Sequence, residues 1–221
     1  MTRHHLQATR ALVLALFVAT ILAGCGTSTP LRDVYVLGGE RPVRQAEVSQ
    51  LGQPVIEITL ARLPDYLDTT EMLRHGADGR VLASQSGRWG EWLSVGVTRA
   101  VALSLAARLP DFVITTSPPE NVPWRKVPID VDSFDARPDG TCILAAQWSI
   151  RPGDAGDVVD QQRTALVMDF VGSSDAALVA TMSREVDMLA GRIAGSLLER
   201  SPASTIKGGS ASTAARSDVG L

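Results

Sequence analysis

Few residues in this chain combine in ways that could carry chemistry. Of three histidines, His4 and His5 sit with Arg3 and Arg10 in a positively charged N-terminus, which leaves His75. A Ser-His-Asp hydrolase would have to take its base from His75. No Gly-x-Ser-x-Gly elbow is present. Ser86, in Gln85-Ser86-Gly87, reads as a helix cap instead. Asp130 and Asp132 share one face of an expected strand. A carboxylate pair can move protons, but two acids on the wet face of a half-buried sheet are the simpler reading. Asp154, Asp157 and Asp160 lack the Asp-x-Asp-x-Asp-Gly pattern and distal Glu of a calcium loop. One mature His and one mature Cys far apart do not build a zinc site, and no Gly-x-x-x-x-Gly-Lys-Ser/Thr loop exists for ATP. These residues point to a protein that is not an enzyme, with no metal and no cofactor.

The chemistry that remains is covalent and belongs to Cys25. The charged N-terminus is followed by an uncharged apolar run, Ala11 to Leu22, and then by Leu22-Ala23-Gly24-Cys25. A basic start, a short apolar stretch and a small-residue cleavage site make a secretory signal, and the run is too short for a permanent membrane span. Its last four residues resemble the bacterial lipobox. In that class of signal the cut falls before the Cys, which becomes the first mature residue and carries lipid. Gly26, where Asp would favour retention in the inner membrane, points to the outer membrane with the protein on its periplasmic face. Cys142, the other cysteine, then has no partner, and its place in an alternating apolar run predicts burial.

The mature chain of about 197 residues loses two of 21 basic residues with the signal, leaving 19 against 24 acidic ones and a formal charge of −5. That balance argues against a nucleic-acid surface and against broad adhesion to anionic head groups. Apolar content of 45% is that of a globular domain. Residues 1–24 are expected as signal, 25–33 as a lipidated linker, 34–200 as one domain and 201–221, rich in Ser, Ala, Thr and Gly, as a disordered tail.

The elements that position these residues follow from periodicity. Strands are expected at Tyr35–Leu37, Gln53–Leu63, Met72–His75, Arg80–Ala83 and Phe112–Thr115. Three more form an antiparallel meander: one over Val127, Ile129 and Val131, one over Cys142 to Ile150, and one over Ala165 to Val171. A helix opens at Ser86-Gly87-Arg88-Trp89, with Leu93, Val97, Val101, Leu105 and Leu109 on one face, and stops at Pro110. Trp89, Trp92, Ala102 and Ala106 widen that face. A second helix begins after Gly172-Ser173-Ser174-Asp175 and carries Leu178, Met182, Val186, Leu189, Ile193 and Leu197. The fold class is α+β, a mixed and largely antiparallel sheet with two amphipathic helices on one face.

One cluster gathers three of the chain's six Trp and Tyr residues: Pro64-Asp65-Tyr66-Leu67-Asp68 with Arg88-Trp89-Gly90-Glu91-Trp92-Leu93. Aromatics and Arg are enriched at binding hot spots, which makes Tyr66, Asp68, Arg88, Trp89, Glu91 and Trp92 candidates for a partner interface. The competing reading has the tryptophans packing helix on sheet.

In order, the lipobox, Tyr35-x-Leu37, Pro64-x-Tyr66-Leu67-Asp68, Arg88-Trp89-x-Glu91-x-Leu93, Asp130-Val131-Asp132-x-Phe134, Gln147-Trp148 and Leu189-Ala190-x-x-Ile193-Ala194 resemble the PqiC/YmbA family of ABC-type transport auxiliary lipoproteins. The resemblance covers Tyr35 to Leu198 and departs at Trp92, where many relatives have a Pro nearby. It implies an outer-membrane lipoprotein that works with an MCE-domain protein bridging the envelope, moving lipid or hydrophobic molecules and supporting membrane integrity. A ring-shaped partner would favour a homo-oligomeric ring of this chain. Two other classes stay open: a carrier with an internal pocket of roughly 300 Å³ or more for a lipid or small apolar ligand, and an envelope hydrolase dependent on His75.

Overall fold

Alternation between apolar and polar residues sets the centre of the sheet. In the computed structural model, which describes residues 31–39, 53–117, 124–153, 157–158, 160–170, 172 and 174–199, the strands follow that alternation closely. Nine strands are described: β1 (Asp33–Tyr35), β2 (Val55–Ile58), β3 (Glu71–His75), β4 (Val81–Trp89), β5 (Val113–Thr115), β6 (Trp124–Val127), β7 (Ile129–Ala136), β8 (Thr141–Pro152) and β9 (Asp160–Asp169). Helix α1 (Leu93–Arg108) falls between β4 and β5, and α2 (Asp175–Glu199) follows β9.

Strand β8 is the spine. β7 pairs with it antiparallel on one side, Ile129 opposite Trp148 through Ala136 opposite Cys142. β9 pairs antiparallel on the other, Thr141 opposite Asp169 through Ile150 opposite Asp160. Cys142, Leu144, Ala146, Trp148 and Ile150 of β8 all point into the core. Pro128 separates β6 from β7, so the single strand expected across Val127, Ile129 and Val131 is two, and β6 reaches the far end of β8 at Arg151 and Pro152. In β7 the inward residues change parity, from Ile129 and Val131 to Phe134 and Ala136. A bulge between Val131 and Ser133 absorbs the change and keeps Phe134 opposite Leu144, both buried.

The long ladders are antiparallel and the parallel pairings are short, which makes the sheet mixed as expected. β2 lies parallel between β5 and β6, and β1 joins the edge parallel to β4. Beyond β2 the chain keeps running beside β7: the Arg62 amide donates to the Ile129 carbonyl (2.9 Å), and the Val131 amide to that of Arg62 (2.8 Å). At the other end Arg74 of β3 pairs with Ala136. Residues 64–70 are therefore an excursion inserted into one interrupted strand path. β3 and β4 form the hairpin expected from Asp78-Gly79, with Gly79 at φ 78° in its turn.

Both helices pack on the sheet and on each other, α1 over β2 and β5, and α2 over β8, β9 and the edge of β4. The apolar stripes are where the periodicity put them: Leu93, Val97, Val101, Leu105 and Leu109 are buried, and so are the six expected residues of α2. Ser104 donates to Asp187 (2.6 Å), and Arg108 pairs with the same carboxylate (2.9 Å), tying α1 to α2. No helix among the described residues is long and apolar enough to cross a membrane.

Three local expectations need correction. The helix does not open at Ser86: β4 runs to Trp89 and α1 starts at Leu93, with Trp92 at its N-cap and no side-chain bond from it. Gly87 and Trp89 face inward at strand spacing, while Ser86 is exposed and its hydroxyl goes to Asp175 (2.7 Å). Ala106 lies on the exposed side of α1 rather than in its apolar stripe. The first strand covers Asp33–Tyr35 rather than Tyr35–Leu37. Ser174 supplies the expected cap of α2, accepting from the Ala177 amide (3.2 Å). The signal, Cys25, most of the linker, Asp154 of the acidic loop and the tail 201–221 lie outside the described residues.

Candidate functional site

The polar members of the candidate cluster are mostly committed to holding the scaffold. In the excursion, the Leu67 amide (2.8 Å) and the Asp68 amide (3.2 Å) both donate to the Pro64 carbonyl, making a tight turn that buries Leu67. That turn aims Asp68 at the start of α1, where its Oδ1 accepts from the Ser94 amide (3.0 Å). A helix N-terminus offers free amides and a partial positive charge. Asp68 therefore caps α1 from another part of the chain, a job Trp92 at the N-cap cannot do.

Glu91 is held the same way. Its Oε1 accepts from Arg99 Nε (2.9 Å) and Nη2 (2.6 Å), and Nη2 also donates to the Leu37 carbonyl (3.0 Å). That bridge joins the chain just after β1 to α1, and the Gly38 amide adds a bond to Ser183 Oγ of α2 (3.1 Å). Trp89 is 3% exposed and packs inside with Tyr35 and Leu37. It is core.

Trp92 and Arg88 differ. Trp92 is 57% exposed, so it does not pin helix to sheet. It lines a shallow groove with Val36, Leu37 and Gly96 that opens to solvent and encloses no space for a ligand. A carried ligand would need an enclosed cavity of roughly 300 Å³ or more. Arg88 is exposed on β4 in register with both Val34 and Glu71. Glu71 is held below the usual carboxylate range by its bond to Arg32 (2.5 Å), with Arg88 adding a smaller favourable charge.

Tyr66 has other neighbours. Its ring meets His75 edge-on, with centroids 6.3 Å apart at 78°. His75 Nε2 lies 3.5 Å from Asp135 Oδ1. Burial pushes the Asp135 carboxyl up, opposed by the His75 and Arg137 charges. Burial also raises the Tyr66 phenol, and the Asp135 charge adds to that. Asp135 and His75 approach one another as the orienting half of a triad would, without a hydrogen bond between them. The β4 serines supply no nucleophile, because Ser84 (2.6 Å) and Ser86 (2.7 Å) both donate to Asp175. Asp130, of the possible carboxylate pair, is bound by Arg62.

Besides Asp135, two buried ionisable residues stand outside the candidate cluster, Asp175 and Glu185. Asp175 takes the Ser84 and Ser86 hydroxyls and Arg74 Nη2 (2.9 Å), tying the first turn of α2 to the β3–β4 hairpin. Burial pushes its carboxyl up, but these bonds outweigh it and hold the group below its ordinary value. Glu185 is 0% exposed on the sheet side of α2, with no donor stronger than the Cys142 thiol at its carboxylate. Burial pushes it to about 7, against the interaction with the Cys142 thiol. Its spacing was the available signal: three residues after Met182 and four before Leu189, it lies inside the apolar stripe. Cys142 is buried as expected, and burial beside Glu185 raises its thiol far above the usual value, which makes it inert.

The fold is shared with known structures. An uncharacterized protein aligns with a TM-score of 0.63 at 16% identity, over 75% of this chain and 98% of its own. Protein XCC0632 from Xanthomonas campestris, a member of the DUF330 family, aligns with a TM-score of 0.58 at 11% identity, over 72% and 90%. No curated protein matches the sequence. The model of the ABC-type transport auxiliary lipoprotein component family matches residues 35–194, from the inward-facing Tyr35 to Ala194 on the buried face of α2. The chain belongs to that family of ABC-type transport auxiliary lipoprotein components.

Proposed function

We propose that this protein is tethered to the outer membrane by lipid on Cys25, faces the periplasm, and docks an MCE-domain partner as the non-catalytic auxiliary subunit of a transport system. The system would carry lipid or other hydrophobic molecules and support envelope integrity. The family match over residues 35–194 carries this reading. The Leu22-Ala23-Gly24-Cys25 motif supports the anchor. The hydrogen bonding supports a scaffold role: Asp68 and Glu91 are spent on structure, and Tyr66 is left exposed for contact.

The test is crosslinking in intact envelopes, followed by capture of this chain. An MCE-domain protein is expected in the captured material. That protein should be lost when the chain carries Cys25→Ala and is exported behind a signal that is cut off without acylation. Full retention of the partner and of envelope integrity by the unanchored chain would contradict the proposal.

A further inference from the structure

We infer that the exposed apolar patch formed by Val34, Val36, Trp92 and Val95 seats in the headgroup layer of the bilayer that holds the Cys25 lipid. This rests on the anchored reading above and adds the surface by which the folded body meets the membrane. Val34 is 55% exposed, Val36 44%, Trp92 57% and Val95 40%. Single exposed apolar residues are ordinary on a protein surface. These four are contiguous. Val36 and Trp92 line one groove, and Val95 is one turn beyond Trp92 on α1. A Cβ placed on Gly90 would lie 3.1 Å from Val34 and 3.5 Å from Val36, so Gly90 leaves both valine side chains bare. Exposed Arg88 stands in register beside Val34, a cation in reach of lipid phosphate.

The length of chain before β1 selects the bilayer as occupant. Cys25 lies eight residues before Asp33. Fully extended, that segment spans at most about 28 Å, and the patch starts at the next residue, Val34. On so short a leash the body stays within about 28 Å of the membrane surface. The face nearest the attachment carries an indole, the side chain that prefers the headgroup layer. A buried apolar face with a basic flank suits such a surface even where overall charge does not.

The full acylated chain, reconstituted in vesicles of phosphatidylethanolamine and phosphatidylglycerol with brominated acyl chains, reads this directly. Trp92→Phe isolates the Trp92 emission by difference. Loss of that emission in brominated vesicles is expected, with Trp89 and Trp148, both buried, unaffected. Val36→Asp should restore it while the protein still floats with the vesicles. A floating protein whose Trp92 emission is unquenched overturns the inference and leaves the anchor standing. A crosslinked dimer through Trp92→Cys would assign the patch to a second copy and overturn it equally. Quenching kept by the non-acylated Cys25→Ala chain would support the patch independently of the anchor. A chain that neither floats nor quenches removes both.

Discussion

Glu185 is expected to make stability fall as pH rises from about 4.5 toward neutrality. The carboxyl is fully buried against the Cys142 thiol, a weak donor, and burial raises it from an ordinary 4.5 to about 7. A raised acid means the fold binds a proton the unfolded chain has released. Below about pH 4.5 both states are protonated and nothing is lost. Between about 4.5 and 7 the folded state loses close to 1.4 kcal/mol per pH unit. Above about 7 the loss levels off near 3 kcal/mol, a large fraction of a typical domain's stability. Glu185→Gln removes the titration. Its absolute stability is harder to rank, because a buried unpartnered amide itself costs about 1–3 kcal/mol, so the slope is the quantity to compare. Urea unfolding of the folded body from residue 26 onward, from about pH 5 to pH 8, should show the native slope and a flatter line for Glu185→Gln. Glu185→Met, close in volume and apolar, should be flat and also more stable at pH 8 by up to about 3 kcal/mol. Parallel lines for the native and Gln chains would refute the assignment of a buried, proton-binding carboxylate to this position.

Two further substitutions test the scaffold around the candidate cluster. Asp68→Ala removes the side chain that accepts from the Ser94 amide and should cost about 1 kcal/mol in urea unfolding, with Asp68→Asn recovering most of it. Gly87→Ala places a Cβ 2.6 Å from Asp175 Oδ2, which Ser84, Ser86 and Arg74 hold in place. Loss of about 1–3 kcal/mol is expected, and an unchanged thermal midpoint would show that the carboxylate can move aside.

The α2 stripe and the β7–β8–β9 meander were legible because burial on one side writes a period of 3.6 or 2 into the sequence. The region around Ser86 was not. Ser86-Gly87-Arg88-Trp89 has the composition of a helix start, but Gly87 and Trp89 lie two apart on the inner face of a strand. The true cap, Asp68, sits 26 residues away from the amide it serves, and local rules do not see it. Parallel pairing of β2 with β5 and β6 carries no local signature either, since register between distant strands is a tertiary choice. Within the candidate cluster, residue type alone could not separate Trp89 from Trp92. Strand parity turns the first into the core, and its position at the helix N-cap leaves the second in solvent.

The mass of the N-terminal peptide of the mature protein, taken from native membranes, bears most directly on the tether. A peptide that begins at Cys25 and carries acyl mass on that residue is the expected result. A mature N-terminus elsewhere, or an unmodified thiol at Cys25 in protein recovered from the soluble periplasm, would contradict it.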